Sequence, residues 1–169
     1  LERHGTSKIR EAEDLQVIDT LGFRGEAIPS IGSVSNMSIT SRIADAPLGT
    51  QAVLKYGKLQ KVHETGCPKG TIIEVQILFG NTPARRKFLR TARTELGHIE
   101  EAVKNYALAS PEVTFILKIN QKEILHLDGA SSLEMRLKNI MHYRGDLMEV
   151  SGKNSHLQYG VHGFLVPPD

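Results

Sequence analysis

The sequence predicts a mixed α/β fold. Amphipathic helical stretches are interleaved with segments of alternating apolar residues, and glycine, proline and small polar residues punctuate the two kinds. No internal repeat or low-complexity segment interrupts that order. The 169 residues suffice for one full domain and part of another, and 40% hydrophobic with 24% charged residues is ordinary globular composition. No apolar run has the length of a membrane span, and no stretch has the pattern of a signal peptide. The single cysteine, Cys67, cannot close an internal disulfide, which fits a reducing compartment. A net charge of +2 does not by itself announce a nucleic-acid partner.

The elements follow in order. Residues 20 to 31, Thr-Leu-Gly-Phe-Arg-Gly-Glu-Ala-Ile-Pro-Ser-Ile, combine two glycines with Ala27, Ile28 and Ile31 at helical spacing, a glycine turn feeding a helix. Ser35 to Arg42 reads as a strand with Met37 and Ile39 on one face. Thr50 to Tyr56 and Leu59 to Glu64 form a hairpin turning at Gly57-Lys58. Thr71 to Phe79 alternates, with Ile73, Val75, Ile77 and Phe79 on one face and Ile72 and Leu78 on the other, which predicts a strand partly covered on both sides. Thr82-Pro83 is a helix start, an N-cap hydroxyl followed by proline at the first helical position. A helix over about 94–109 buries Leu96, Ile99, Val103, Tyr106 and Ala107, and Ser110-Pro111 stops it. Val113 to Ile119 turns through Asn120-Gln121-Lys122 into Glu123 to Leu127. Asp128-Gly129-Ala130-Ser131-Ser132 is the domain boundary, separating 1–128 from 129–169. Beyond it lie a short helix with Leu133, Leu137, Ile140 and Met141 on one side, and strands near Leu147 to Ser151 and His156 to Val166.

Three features bear on chemistry. Glycines before a helix start leave backbone N–H groups uncovered near the positive end of the helix dipole, an arrangement suited to phosphate. Upstream, Arg-His-Gly-Thr-Ser-Lys-Ile at 3–9 supplies hydroxyls and a lysine, while no Walker A pattern occurs in the chain. The second feature is the basic run Arg85, Arg86, Lys87, Arg90 and Arg93, without an acidic residue among them. If 86–93 is one helix, Arg86, Arg90 and Arg93 share a face that could meet DNA phosphates; otherwise they are a solvated surface with local pairing to Glu95. No aromatic residue interleaves, so base stacking is not supported. Third, His63 and Cys67 are four apart but lack a second ligand pair, so no metal site is expected.

The two polar segments resemble the ATP lid of the GHKL superfamily, which includes gyrase B subunits, chaperones and histidine kinases, and within it the MutL mismatch-repair family. That family carries an Arg-His-Ala-Thr-Ser-Lys-like segment and then Leu-Gly-Phe-Arg-Gly-Glu-Ala at this separation. Gly5 stands where alanine is more usual and Ile28-Pro29 replaces Leu-Ala; neither change removes a ligand group. Gly70-Thr71 matches a Gly-Thr pair that these proteins place beside the nucleotide, and Asn81-Thr82-Pro83-Ala84-Arg85-Arg86-Lys87-Phe88-Leu89 is close to a bacterial signature. The resemblance runs from about residue 2 to 128 and weakens beyond.

The resemblance implies a two-layer α/β sandwich of GHKL type, helices over a mixed sheet, followed by the start of a smaller α/β domain. It implies an ATPase switch in DNA mismatch repair, with ATP bound by Thr6, Ser7, Lys8, Leu21, Gly22, Phe23, Arg24, Gly25, Glu26, Gly70 and Thr71. Glu26, in the first helical turn, complements the helix dipole rather than acting as a base. The family's general base, its magnesium-binding asparagine and its adenine-reading Asp-x-Gly-x-Gly turn lie upstream of these residues, and a γ-phosphate lysine lies downstream. No catalytic residue is therefore expected here, Mg²⁺ would arrive with ATP, and the chain alone is expected to be inactive. With Leu1 in place of methionine and a close on Pro167-Pro168-Asp169, it reads as an internal piece of a longer protein. The expected partners are DNA, a second copy joined through the N-terminal halves on ATP binding, a mismatch-recognition protein, and a repair nuclease or helicase. The expected location is cytoplasmic, at the nucleoid. The alternatives are a non-catalytic nucleic-acid-binding module and a GHKL nucleotide-binding protein that does not act on DNA.

Overall fold

The computed structural model describes residues 5–9, 11–16, 18, 20, 22–154 and 159–168. They belong to two compact units, Leu1–Leu89 and Arg90–Asp169. The first holds a 3₁₀-helix Ala12–Gln16, which the periodicity did not signal, then α1 Ala27–Ser33, β1 Asn36–Arg42, β2 Gly49–Lys55, β3 Lys58–Thr65, β4 Gly70–Gln76 and α2 Pro83–Arg86. The strands form one antiparallel sheet in the order β3-β2-β1-β4, so β1 is paired on both edges.

Register explains the two faces of this sheet. Met37 lies between Leu54 and Val75, and Ile39 between Ala52 and Ile73, which makes one face apolar. Met37 and Leu54 are 2% and 5% exposed and form the core of the unit. Helix α1 packs on this face at Gly32, where a Cβ would press on Met37 Cε. The other face carries Asn36, Ser38 and Thr40 of β1, and Ser38 Oγ donates to Glu74 Oε2 at 2.8 Å.

The carboxyl end of α1 is tied to the sheet. Gly57 N donates to Gly32 O (2.8 Å), Tyr56 N to Ser35 O (2.9 Å) and Phe79 N to Val34 O (2.7 Å). Asn81 Nδ2 donates to Ser33 O at 3.0 Å, and Ser35 Oγ to Ile31 O at 2.7 Å. The carbonyls that a helix end leaves unpaired are thus met by the β2–β3 turn and the segment after β4. The same bonds end β4 early. The alternation predicted a strand to Phe79, but the strand stops at Gln76 because Ile77 and Phe79 take φ of +52° and +60°. The coverage expected on both sides of this strand is absent as well. β4 is an edge strand, and Ile72, Ile73 and Val75 are each more than 40% exposed.

The second unit contains α3 Ala92–Ala109, β5 Phe115–Ile119, β6 Lys122–Leu127, α4 Leu133–Met141, β7 Met148–Asn154 and β8 Tyr159–Leu165. β5 and β6 form a hairpin, as do β7 and β8. Asn120 and Gln121 both have positive φ, the conformation of a two-residue turn between right-twisted strands. On α3, Ala107 is buried as predicted and Leu96 and Val103 are half-buried, whereas Ile99 and Tyr106 are about half exposed. α4 starts at Ser132, whose Oγ accepts from Met135 N (3.2 Å). Near its end Lys138 pairs with Glu134 (2.8 Å) and Asp146 (3.6 Å), and the hydrogen bond it donates to Glu134 lifts the ammonium above the usual lysine value.

One expectation about the basic run changes. Arg86, Arg90 and Arg93 do not share one helix face: α2 ends at Arg86, and α3 begins after Thr91, whose Oγ1 accepts from Thr94 N. Glu95 Oε1 also takes the Arg90 backbone N–H at 2.8 Å, closing the break. Arg136 holds α4 to the end of α3 within the second unit. Its guanidinium, 1% exposed, donates through Nη1 to Ala107 O (2.8 Å) and Ser110 O (3.3 Å), and through Nη2 to Val113 O (2.9 Å) and Asp128 O (2.8 Å).

Replacing Arg136 by Met removes four hydrogen bonds; Ser110 O keeps Val113 N and Asp128 O keeps Ser131 N, so the loss falls on the Ala107 and Val113 carbonyls and should destabilise the second unit by about 2–3 kcal/mol. Arg136→Lys should recover only part, since one ammonium cannot span four acceptors. Urea unfolding, read alongside hydrogen exchange of α3 and α4 amides, checks both values.

Candidate functional site

The two polar segments meet. Gly5, Thr6, Ser7 and Lys8 from the first, and Gly22 to Pro29 from the second, line one open cavity of about 570 Å³. Of the expected ATP-binding positions, Thr6, Ser7, Lys8, Gly22, Phe23, Arg24, Gly25 and Glu26 therefore stand together, while Leu21 lies outside the described residues.

Backbone conformation is what lets the segments approach. Gly25 has φ +62°, and a Cβ there would run into Gly5 O and C. Any L residue at Gly25 would thus meet both an unfavourable φ and a backbone collision. Gly22 has open space around the position of a Cβ and no positive φ, so neither packing nor backbone conformation demands glycine there. Thr20 Oγ1 donates to Gly22 O at 3.2 Å, and Thr6 Oγ1 accepts from Lys8 N at 3.1 Å, which folds the first segment back on itself.

The charge of the cavity is cationic on two sides. Lys8 and Arg24 are exposed at its rim, from different segments. Arg24 Cζ sits 5.6 Å from the Phe23 ring centre, a cation–π contact that holds the guanidinium over a half-buried side chain. Glu26 is the N-cap residue of α1 and makes no side-chain cap bond, so the first-turn amides of Ala27 and Ile28 are not covered by it. Pro29 has no N–H, which removes one donor from that turn. Ser30 N donates to Glu26 O (3.0 Å), the first bond within the helix. The arrangement brings two cations, the Thr6 and Ser7 hydroxyls and one carboxylate, Glu26, to one space at the start of α1, a cation-rich donor set that suits a polyphosphate.

Gly70 and Thr71 stand elsewhere, at the start of β4, and do not line this cavity. Gly70 has φ +114°, and Ser41 Oγ donates to Gly70 O (3.3 Å) and shares a 2.9 Å bond with Thr71 Oγ1. Ser41 was not singled out from the sequence; only the cross-strand register pairs it with Thr71. Asn81 was singled out only as part of a signature, and its place is the α1 carboxyl end rather than the cavity. Among the described residues, no group of three or more His, Cys, Asp or Glu side chains gathers to hold a metal ion, and no helix is long and apolar enough to cross a membrane.

Comparison with known proteins gives a consistent result, although no protein-family model matches the chain. It is 44% identical over 161 residues to the DNA mismatch repair protein MutL of Desulforamulus reducens, which covers 89% of this chain and 25% of that protein. It is 42% identical over 168 residues to MutL of Bacillus cereus, covering 99% of this chain and 26% of that protein. The chain thus spans about a quarter of the length of these curated relatives. Among solved structures, the Aquifex aeolicus MutL ATPase domain complexed with ADP superposes with a TM-score of 0.77 at 31% identity, over 95% of this chain and 61% of that one. A second structure of the ATPase domain from this Aquifex aeolicus mismatch repair endonuclease gives 0.70 at 25% identity, over 95% and 58%. The mixed α/β fold expected from the residues is the fold of those ATPase domains.

The geometry at Gly25 makes a local prediction. Gly25→Val should separate the two segments, seen as faster hydrogen exchange at residues 5–8 and 22–26. Global stability should change by no more than about 1 kcal/mol, because the exposed loops contribute little buried area.

Proposed function

The chain is MutL-like over almost its whole length, and from that premise we propose that it supplies the phosphate lid of an ATP-binding switch in DNA mismatch repair. The observation that carries this reading is the meeting of the two glycine segments, with Lys8 and Arg24 facing one cavity at the start of α1. The cavity has the size of small-molecule sites, and its donors suit a triphosphate. ATP would be gripped by the Lys8 and Arg24 charges, the Thr6 and Ser7 hydroxyls and the amides from Gly22 to Ile28, with Leu21 in the same loop. Gly70 and Thr71 would meet the nucleotide only with the lid brought over the start of β4. Closing the two segments over the phosphates excludes water and fixes the reacting end of the nucleotide.

Mg²⁺ would bind through the phosphates and through groups outside these residues, and it would supply charge neutralisation at the γ-phosphate. The base that activates water would also come from outside. In the intact protein the reading entails ATP hydrolysis, association of two copies through their N-terminal halves, and action on DNA with a mismatch-recognition protein and a repair nuclease or helicase in the cytoplasm. The division of domains at 128/129 remains part of this proposal for the longer protein. Arg86, Arg90 and Arg93 are exposed and would serve as separate phosphate contacts rather than one helical strip. The module built on one basic helix loses its main support with that break in the helix.

Two outcomes test the reading. In the intact protein, Arg24→Ala and Lys8→Ala should each weaken ATP binding by about one to two orders of magnitude, since a charged phosphate contact is worth about 1.5–3 kcal/mol. Gly25→Val should weaken it more, and titration calorimetry with a non-hydrolysable ATP analogue measures all three. The 169-residue chain alone should show no ATP turnover above background. Turnover by that chain, abolished by a substitution within it, would refute the assignment of base and metal ligand to other parts of the protein.

A further inference from the structure

We propose that the polar face of the β2–β3 hairpin, through Lys55, Lys58 and Lys61, is a contact surface for the phosphate backbone of duplex DNA. The inference rests on the DNA-repair reading above and names a surface that reading does not use.

The face is created by a bulge. Lys58 and Lys61 are three residues apart, an odd spacing that puts side chains on opposite faces of a regular strand. The register shift between Val53 and Leu54 changes this: Val53 pairs with Lys61 and Leu54 with Leu59, so Gln60 is the extra residue. Gln60 Nε2 donates to Lys58 O at 3.1 Å beside the bulge. Lys58 therefore pairs with Lys55 and returns to the same face as Lys61. The bulge lines up three lysines that a regular ladder would have separated.

The charges are uncompensated. Lys55 and Lys58 are directly opposite, a like-charge pair that disfavours the hairpin. All three side chains are exposed. No carboxylate shares their face on β2 or β3, whose other members there are Gly49, Gln51, Val53, His63 and Thr65. The acidic group on this side of the sheet is Glu74 of β4, about two strand spacings or 10 Å from β2, and Ser38 already engages it. Lysine rows about 7 Å apart along the strand, with no aromatic side chain between them, suit backbone phosphates rather than unstacked bases. With Val53 as the main apolar group among them, the face has little to insert into a lipid surface.

The test uses the intact protein and duplex DNA of mixed sequence, with binding followed by fluorescence anisotropy between about 50 and 200 mM salt. The triple variant Lys55→Gln, Lys58→Gln, Lys61→Gln should bind about tenfold more weakly at the higher salt, with a salt-dependence slope lower by about 2 to 3. The triple arginine variant should keep the wild-type affinity and slope, which separates loss of charge from loss of fold. ATP binding should be unchanged in both variants. Wild-type binding with an unaltered slope in the glutamine variant would overturn the assignment of this face alone. Absence of DNA binding by the wild type would overturn both this assignment and the DNA-repair reading. Loss of binding to phosphatidylserine vesicles with retained DNA binding would also overturn it, and would make the face a lipid contact.

Discussion

A helix that ends inside a fold leaves backbone carbonyls that need donors, and both units of this chain are organised by that requirement. In the first unit the carbonyls from Gly32 to Ser35 are met from two directions, by the turn between β2 and β3 and by the residues after β4. Those bonds position α1 on the sheet more specifically than its small apolar contact at Gly32 could. In the second unit one side chain does the corresponding work. Arg136 gathers carbonyls from the end of α3, the approach to β5 and the exit from β6. Its planar fork reaches several acceptors at once, which an ammonium cannot.

Local pattern made the paired strands legible. β1 and β2 alternate because Met37 and Leu54 pack on one face while the other is polar; β3 keeps the alternation although Leu59 and Val62 stay exposed. The turns fall at Tyr56-Gly57, one residue before the expected Gly57-Lys58, and at Asn120-Gln121. The end of β4 was not legible. Ile77 and Phe79 continue the alternation but adopt positive φ, because Phe79 N is drawn to Val34 O and the chain must leave the ladder to reach it. Arg136 was hidden for a related reason: an arginine between Leu133 and Leu137 reads as the solvent side of a helix, and only the convergence of distant carbonyls gives it a buried role. The basic run misled because arginine spacing was judged on one continuous helix. Thr91 is a strong N-cap and starts a new one.

The candidate site divides along the same line. Glycines, hydroxyls and cations near a helix start were visible as chemistry, and resemblance placed the two segments in one lid. Their contact rests on Gly5 and Gly25 approaching within backbone distance, a relation between positions twenty residues apart that no periodicity encodes. Thr71 was equally visible, but its hydroxyl partner Ser41 is set by the β1–β4 register. The lysine face of β2 and β3 was invisible for a sharper reason. Strict alternation assigns Lys58 and Lys61 to opposite faces, and the bulge at Gln60 reverses that assignment.

Helix α1 links these observations. It has seven residues, too few to persist by its own hydrogen bonds, so tertiary contacts must hold it. Its carboxyl end is held by Asn81, Phe79, Tyr56 and Gly57, while its amino end opens onto the cavity between Lys8 and Arg24. In the proposed lid, an anion at the amino end and the sheet at the carboxyl end would act on the same two turns of helix. The Asn81 segment runs directly into α2, so its side chain ties the backbone of the lid helix to the last element of the first unit. If the cavity holds phosphate as proposed, a shift of α1 would reach that element through one hydrogen bond and two residues of chain. The signature around Asn81 and the glycine segments thus stand at opposite ends of one short helix, although they are far apart in sequence and only the glycine segments touch the cavity.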